Sequence, residues 1–314
     1  MNTVPTGNGV LDNDDGAQAL AGSITGGDRR ALAQAITVIE STRPDHRSKA
    51  DGLLKLLLPY TGNSIRIGVS GPPGVGKSTF IEALGLHVIG AGHRLAVLAV
   101  DPSSPRTGGS ILGDKTRMEK LSRRGDAFIR PSPSGGTLGG VARRTREGML
   151  ACEAAGFDVI IVETVGVGQS EVAVADLVDV FVLLLAPSGG DGLQGIKKGI
   201  VELADLVVVN KDDGEMAEAA ERSRHDYAGA LHIVRPPVDG PLGDGWSPKV
   251  LKCSALEGAG ISEIWDAVED FRKIHSENGA MEARRGAQAK AWMWNDVKET
   301  LTRRIVADPK AGKA

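Results

Sequence analysis

The sequence predicts an α/β fold: a doubly wound, mainly parallel sheet with helices ahead of it and a helical arm behind it. Three observations predict this. From Ser64 to about Ile274, short apolar runs alternate with helix-length amphipathic stretches, the pattern of parallel strands joined by crossover helices. Several runs are apolar at every position, as strands covered by helices on both faces must be. The first run, Ile65-Arg66-Ile67-Gly68-Val69-Ser70, leads straight into Gly71-Pro72-Pro73-Gly74-Val75-Gly76-Lys77-Ser78-Thr79. A strand, a glycine-rich turn and a helix start, in that order, make a phosphate-binding P-loop.

The elements follow in order. Residues 1–27 open with an acidic, Gly/Asn-rich stretch from Thr6 to Asp15 and are expected to be a disordered tail. Asp28 suits an N-cap, and Leu32, Ala35, Ile36 and Ile39 fall on one face of the helix it starts. Pro44 separates that helix from a second, roughly Asp45 to Leu58, with Leu53, Leu54, Leu57 and Leu58 apolar. The two form an N-terminal extension over 28–60 that covers the sheet edge or docks a partner. The nucleotide domain spans 61–275, with strands expected at Ile65–Val69, Leu95–Val100, Ala127–Ile129, Val159–Val162, Val180–Leu185, Leu206–Val209 and Val250–Leu251. Helical stretches between them include Thr79–Ile89, Val141–Ala154, Leu193–Leu203 and Ile261–Phe271. Residues 276–314 form the arm, where Ala291, Trp294, Val297, Leu301 and Ile305 make an apolar stripe with Trp292 off it. Such a helix packs on the body or on another chain, so a homodimer is an expectation.

Composition excludes several classes. With 41% hydrophobic and 25% charged residues over 314 positions, the chain can bury a full core unaided. A formal net charge of −3 argues against general nucleic-acid binding. No apolar stretch approaches the roughly 18–20 residues of a membrane span, and no signal-peptide core opens the chain. Cys152 and Cys253 stand far apart, giving neither a disulfide framework nor a C-x-x-C metal site, so a reducing cytoplasm is expected.

The motifs carry the chemistry, and each sits at the carboxyl end of a predicted strand, where ligands bind on doubly wound sheets. In the P-loop, Gly71, Gly74 and Gly76 let consecutive N–H groups curl around an anion, and the helix N-terminus adds its positive end. Backbone from Gly74, Val75 and Gly76 through Thr79 would cradle the phosphates. Lys77 would place an ammonium on the β and γ phosphates, and the Ser78 hydroxyl would take a Mg²⁺ position. Asn210-Lys211-Asp212-Asp213 ends a later strand. There Asn210 buttresses the site, the Lys211 stem lies against the purine, and Asp213 accepts from guanine N1–H and N2–H₂. Adenine would leave that carboxylate facing another acceptor. Ser254-Ala255 follows the last strand and would offer N–H groups to guanine O6.

Glu163, ahead of Thr164-Val165-Gly166-Val167-Gly168-Gln169, would order Mg²⁺ or its water shell, with Gly166 approaching the γ-phosphate. Asp101, in Val100-Asp101-Pro102-Ser103-Ser104-Pro105, and Asp114 could each face Mg²⁺ or the attacking water, Asp101 being the stronger candidate. Arg106, Arg143, Arg144 and Arg146 are either solvated or a source of positive charge for the transition state. The loop Ser188-Gly189-Gly190-Asp191-Gly192-Leu193-Gln194-Gly195-Ile196-Lys197-Lys198-Gly199 is flexible and opens a helix with lysines, against the dipole. Gln194 and Lys197 would act there when a partner docks.

With these loops in view, the sequence resembles the MeaB/MMAA family, formerly ArgK: GTPases that serve as chaperones for adenosylcobalamin-dependent methylmalonyl-CoA mutase. The resemblance runs from Asp28-Arg29-Arg30-Ala31-Leu32-Ala33 to the arm, and is most specific in Gly189–Gly199. It implies a cytoplasmic, dimeric, Mg²⁺-dependent GTPase that binds GTP and GDP, gates adenosylcobalamin loading, and protects or rescues the mutase. Carried over by position, Lys77 and Ser78 serve phosphate and metal, Asp101, Asp114 and Glu163 are metal and switch carboxylates, and Gln194 and Lys197 belong to a third switch. Two other readings compete. A nickel metallochaperone GTPase needs Cys/His ligands that Cys152 and Cys253 lack as companions; an ATP-driven transport-linked kinase is opposed by Asp213.

Overall fold

A computed structural model describes residues 14–101, 118–133, 138–164, 170–187, 198–234 and 245–307. Seven strands form one sheet: β1 (Ile65–Ser70), β2 (Leu95–Asp101), β3 (Ala127–Pro133), β4 (Val159–Thr164), β5 (Val180–Leu185), β6 (Leu206–Asn210) and β7 (Lys249–Cys253). Their order is β3-β2-β4-β1-β5-β6-β7, and every neighbouring pair is parallel. β1 is therefore near the centre, flanked by β4 and β5. β3 extends past the expected Ile129 to include Pro131 and Pro133; as an edge strand it tolerates residues without an N–H.

The strands alternate between two cores, as residues on opposite faces of a pleated sheet must. Ala96, Leu98, Ile160, Val162, Val207 and Val209 face one hydrophobic layer with α1 (Asp14–Thr25), α2 (Arg29–Glu40), α3 (Pro44–Leu57) and α6 (Leu138–Ala154). Leu95, Val97, Ile161, Leu206 and Val208 face the other, with α4 (Lys77–Gly90) and α10 (Ile261–Glu277). Each wholly buried leucine or isoleucine there contributes about 2 kcal/mol relative to exposure. The remaining helices are α5 (Glu119–Ser122), α7 (Ser170–Ala175), α8 (Lys198–Leu203), α9 (Ala217–Val234) and α11 (Ala280–Ala307).

The N-terminal extension follows expectation in α2 and α3. The Asp28 carboxylate accepts from Arg30 N at 2.7 Å and Ala31 N at 3.2 Å, capping α2, whose Leu32, Ala35, Ile36 and Ile39 are buried. The disordered tail is corrected over 14–25. That segment is helix α1, with Leu20, Ala21 and Ile24 buried in the core shared with α2 and α3. Leu20 and Ile24 are four residues apart on one face, and this short stripe outweighs the acidic composition before it. Residues 1–13 lie outside the described residues.

The arm helix α11 is strapped to the base of the sheet. Arg285 donates to both carboxylate oxygens of the buried Asp179, at 2.8 and 2.6 Å, and to the carbonyls of Gly62 and Ser64. Farther along, Arg146 of α6 reaches Asp296 at 3.0 Å while its guanidinium lies 5.0 Å from the centre of the Trp292 ring. Trp292, off the predicted stripe, is the aromatic that meets the body. The stripe itself is open: Ala291, Trp294, Val297 and Leu301 are all exposed. The Ile305 side chain lies outside the described residues.

Candidate nucleotide-binding site

The phosphate loop is built where β1 ends. Gly71 has φ +152°, and a Cβ there would sit 2.3 Å from the Leu184 carbonyl oxygen on β5, so only glycine lets the loop leave the sheet at this point. Gly76 has φ +93° and caps α4 without a side chain; a Cβ on it would meet the Asn210 side-chain nitrogen at 2.7 Å. The first-turn N–H groups of α4 thus have no side-chain cap, the arrangement an anion requires. Lys77 Nζ lies back over the loop, donating to Gly71 O at 2.8 Å and Pro72 O at 3.2 Å. Ser78 Oγ donates to Glu163 Oε1 at 3.2 Å. Glu163 stands on β4 opposite Val69 of β1, which brings a hydroxyl and a carboxylate together beside the phosphate loop. Those two oxygen donors fit a hard divalent cation.

Sequence reasoning missed what steadies that pair. Thr164 Oγ1 donates to Ser70 Oγ at 2.9 Å, both wholly buried, tying the end of β4 to the end of β1. Two hydroxyl residues ending adjacent parallel strands were the available signal, but their adjacency depends on strand order.

The other end of the site gathers around Asn210. Its Nδ2 donates to Val75 O at 2.9 Å, and its Oδ1 accepts from Ala255 N at 3.0 Å. One buried amide thus joins the phosphate loop, the loop after β6 and the loop after β7. Lys211 is the one non-glycine residue among those described with positive φ, at 68°, a local strain of the kind that clusters at functional sites. The adjacent aspartates diverge. Asp212 pairs with Lys252 at 3.1 Å, whereas Asp213 accepts from Ser254 Oγ at 2.5 Å. Asp213, not Asp212, therefore shares its surroundings with Ser254 and Ala255. Burial pushes the Cys253 thiol up to about 12 and raises Cys152 further, so neither is a ready thiolate at neutral pH.

Comparison with known proteins now decides the family. Residues 32–310 match the family model described as "Methylmalonyl Co-A mutase-associated GTPase MeaB". The chain belongs to the MeaB family. It is 52% identical over 282 residues to "GTPase ArgK" of Escherichia coli, covering 90% of this chain and 84% of that one. It is 50% identical over 293 residues to "Methylmalonic aciduria type A homolog, mitochondrial" of Mus musculus, covering 90% and 69%. A crystal structure named "LAO/AO transport system kinase" superposes with a TM-score of 0.79 at 43% identity, covering 96% of this chain and 89% of that one. As a MeaB-family GTPase the chain binds guanine nucleotide and hydrolyses GTP.

The structure brings some of the expected residues together and is silent on others. Gly74, Val75, Gly76, Lys77, Ser78, Thr79 and Glu163 lie where β1 and β4 end, and Asn210, Lys211, Asp213, Ser254 and Ala255 where β6 and β7 end, the two groups joined through Asn210. Asp101 is the last residue of β2, in register with Pro133 of β3. Asp114, Gln194, Lys197, Arg106 and the stretch 165–169 lie outside the described residues. Arg143 and Arg146 are neither solvated nor at the strand ends. Arg143 pairs with Glu147 at 3.1 Å and approaches Asp296 and Glu299 at 3.6 Å, so both arginines bind α6 to the arm.

Proposed function

We propose that this MeaB-family GTPase is Mg²⁺-dependent and acts as a chaperone of adenosylcobalamin-dependent methylmalonyl-CoA mutase, gating cofactor loading and protecting or reactivating the mutase. The observation that carries the reading is the Asn210 bridge, which makes the base end and the phosphate end one unit in a chain matched to that family over 32–310. Hydrolysis forms a bond from a water oxygen to the γ-phosphorus and breaks that to the β–γ bridging oxygen. In this reading Lys77 exchanges the Gly71 and Pro72 carbonyls for phosphate oxygens. Ser78, Asp101, Asp114 and Glu163 would hold Mg²⁺, which when bound neutralises charge on the phosphates. Asp213, held by Ser254, accepts from guanine, while the Ala255 N–H would have to turn from Asn210 Oδ1, to which it donates in this structure, to serve O6. Gln194 and Lys197 form a third switch that answers the mutase. The protein is a homodimer through the arm and works in the cytoplasm; no helix among the described residues is long and apolar enough to cross a membrane.

The test is GTP turnover with and without the mutase, together with nucleotide competition. Mutase-dependent acceleration and tighter GDP than ADP binding are expected. The name of the solved relative favours a second reading, an ATP-dependent transport-linked kinase, and ADP binding tighter than GDP would establish that one instead. Turnover indifferent to the mutase would leave a GTPase with another client.

A further inference from the structure

The loop after β6 carries two adjacent carboxylates, Asp212 and Asp213, and each is held by a different residue of the segment 252–254. Asp213 accepts from Ser254 Oγ, while Asp212 pairs with Lys252 Nζ at 3.1 Å. The main chain couples the same segments. Asp212 N donates to Cys253 O at 3.0 Å, just past the last pair of the ladder, Asn210 with Cys253. Directly before Asp212, Lys211 has φ +68°, a conformation that a non-glycine residue keeps only where its surroundings enforce it. The N-K-x-D spacing leaves its third position open, so the motif by itself gives Asp212 no role.

Lys252 reaches this loop because of where β7 places it. Side chains alternate across a strand, and Val250, two residues before Lys252, packs in the layer that holds Ala220 and Tyr227 of α9. Lys252 therefore emerges on the α9 side, where its ammonium lies 3.2 Å from Glu221 Oε2 as well as 3.1 Å from Asp212. Glu221 is fixed in turn by Arg224 at 2.7 Å. The Arg224 and Lys252 contacts pull the Glu221 carboxyl down to about 2, so it is charged at neutral pH. An isolated exposed ion pair contributes little, but charges in a network contribute more; here one ammonium serves two carboxylates, and the Asp212 side chain is only 17% exposed.

We propose that Asp212 and Lys252 form a positioning pair for base recognition: by drawing Asp212 to β7 the pair holds the turn at Lys211 and presents the Asp213 carboxylate to the N1–H and N2–H₂ edge of guanine. This role rests on Asp213 being the guanine acceptor. A well-aligned carboxylate accepts two hydrogen bonds from guanine but one from hypoxanthine, which lacks the 2-amino group. The ratio of GDP to inosine diphosphate affinity therefore reports how Asp213 is aligned.

Calorimetric titration of both nucleotides into the full-length protein tests the pair. Lys252→Met and Asp212→Ala should each weaken GDP by roughly fivefold, the upper range of a partly exposed pair, and inosine diphosphate by less, so that the ratio falls. The double variant should be no worse than either single one, as two residues forming one contact require. Lys252→Arg, which keeps a cation able to bridge both carboxylates, should retain the parent ratio. Thermal melting checks folding, and Asp212→Ala carries the test if Lys252→Met does not fold. Parental affinity and ratio in the single variants would overturn the pair's role. Equal weakening of the two nucleotides would make the pair a structural tie only and overturn it too, as would additive losses in the double variant. Asp213→Ala separates the two failures. It should erase the preference for GDP; if it does not, the guanine reading falls and the pair's role with it. If it does while Lys252→Met matches the parent, only the positioning pair falls.

Discussion

Asn210 touches the loops of both site ends with one amide: its nitrogen reaches Val75, and its oxygen takes the Ala255 N–H and the weak donor of Cys253 at 3.5 Å. Asn210→Ala would leave a buried carbonyl and a buried N–H without partners, at about 1–3 kcal/mol each. Lower GDP affinity together with a lower melting temperature is expected, measured by calorimetry and thermal unfolding. Lys77→Ala should separate the two effects. Its ammonium donates to the loop carbonyls of Gly71 and Pro72, so GDP binding should be lost with little change in melting; unchanged GDP affinity would contradict the phosphate role. Both residues were legible as motif letters. Their partners were not, because Val75 and Ala255 lie far from Asn210 in sequence and meet it only through strand order.

At the scale of elements, α1 and α11 depart most from their sequence reading, for opposite reasons. In α1 the apolar stripe is short and sits beside acidic residues, yet Ile24 is wholly buried. Ile24→Ala should therefore cost about 2–4 kcal/mol, read by denaturant unfolding; a neutral result would return 14–25 to a dispensable tail. In α11 the long stripe was the legible feature, and it faces outward, while the helix is held by polar groups that periodicity does not weigh. Arg285→Ala would strand Asp179, which is wholly buried. A loss of about 3–5 kcal/mol is expected from breaking a buried pair on one side, measured by the same unfolding.

For the whole molecule, strand order is what makes the site. β1 near the centre places the phosphate loop between the ends of β4 and β5, and β6 with β7 carries the loops of Asn210–Asp213 and Ser254–Ala255, the proposed base-reading residues, beside it. β4 and β5 flank β1 in the sheet, and in sequence residues 165–169 come directly after β4 and residues 188–197 shortly after β5; a nucleotide-dependent switch in those segments is part of the proposed function. Lys197→Ala should therefore reduce mutase-stimulated turnover more than basal turnover. Steady-state GTP hydrolysis with and without the mutase checks this, and an unchanged stimulation ratio would remove the third-switch role.

Read alone, the chain already specified the strands, the phosphate loop and the letters of the Asn210–Asp213 and Ser254–Ala255 loops. Those depend on local patterns: apolar runs, glycines at turns, and residue types in fixed spacing. The tertiary structure alone decided that Asn210 links both ends of the site, that Thr164 and Ser70 meet under it, that Asp213 rather than Asp212 faces Ser254, and that the arm is fastened by Arg285. Each of these is a contact between residues distant in sequence, set by which strands lie side by side, and no local pattern encodes that adjacency.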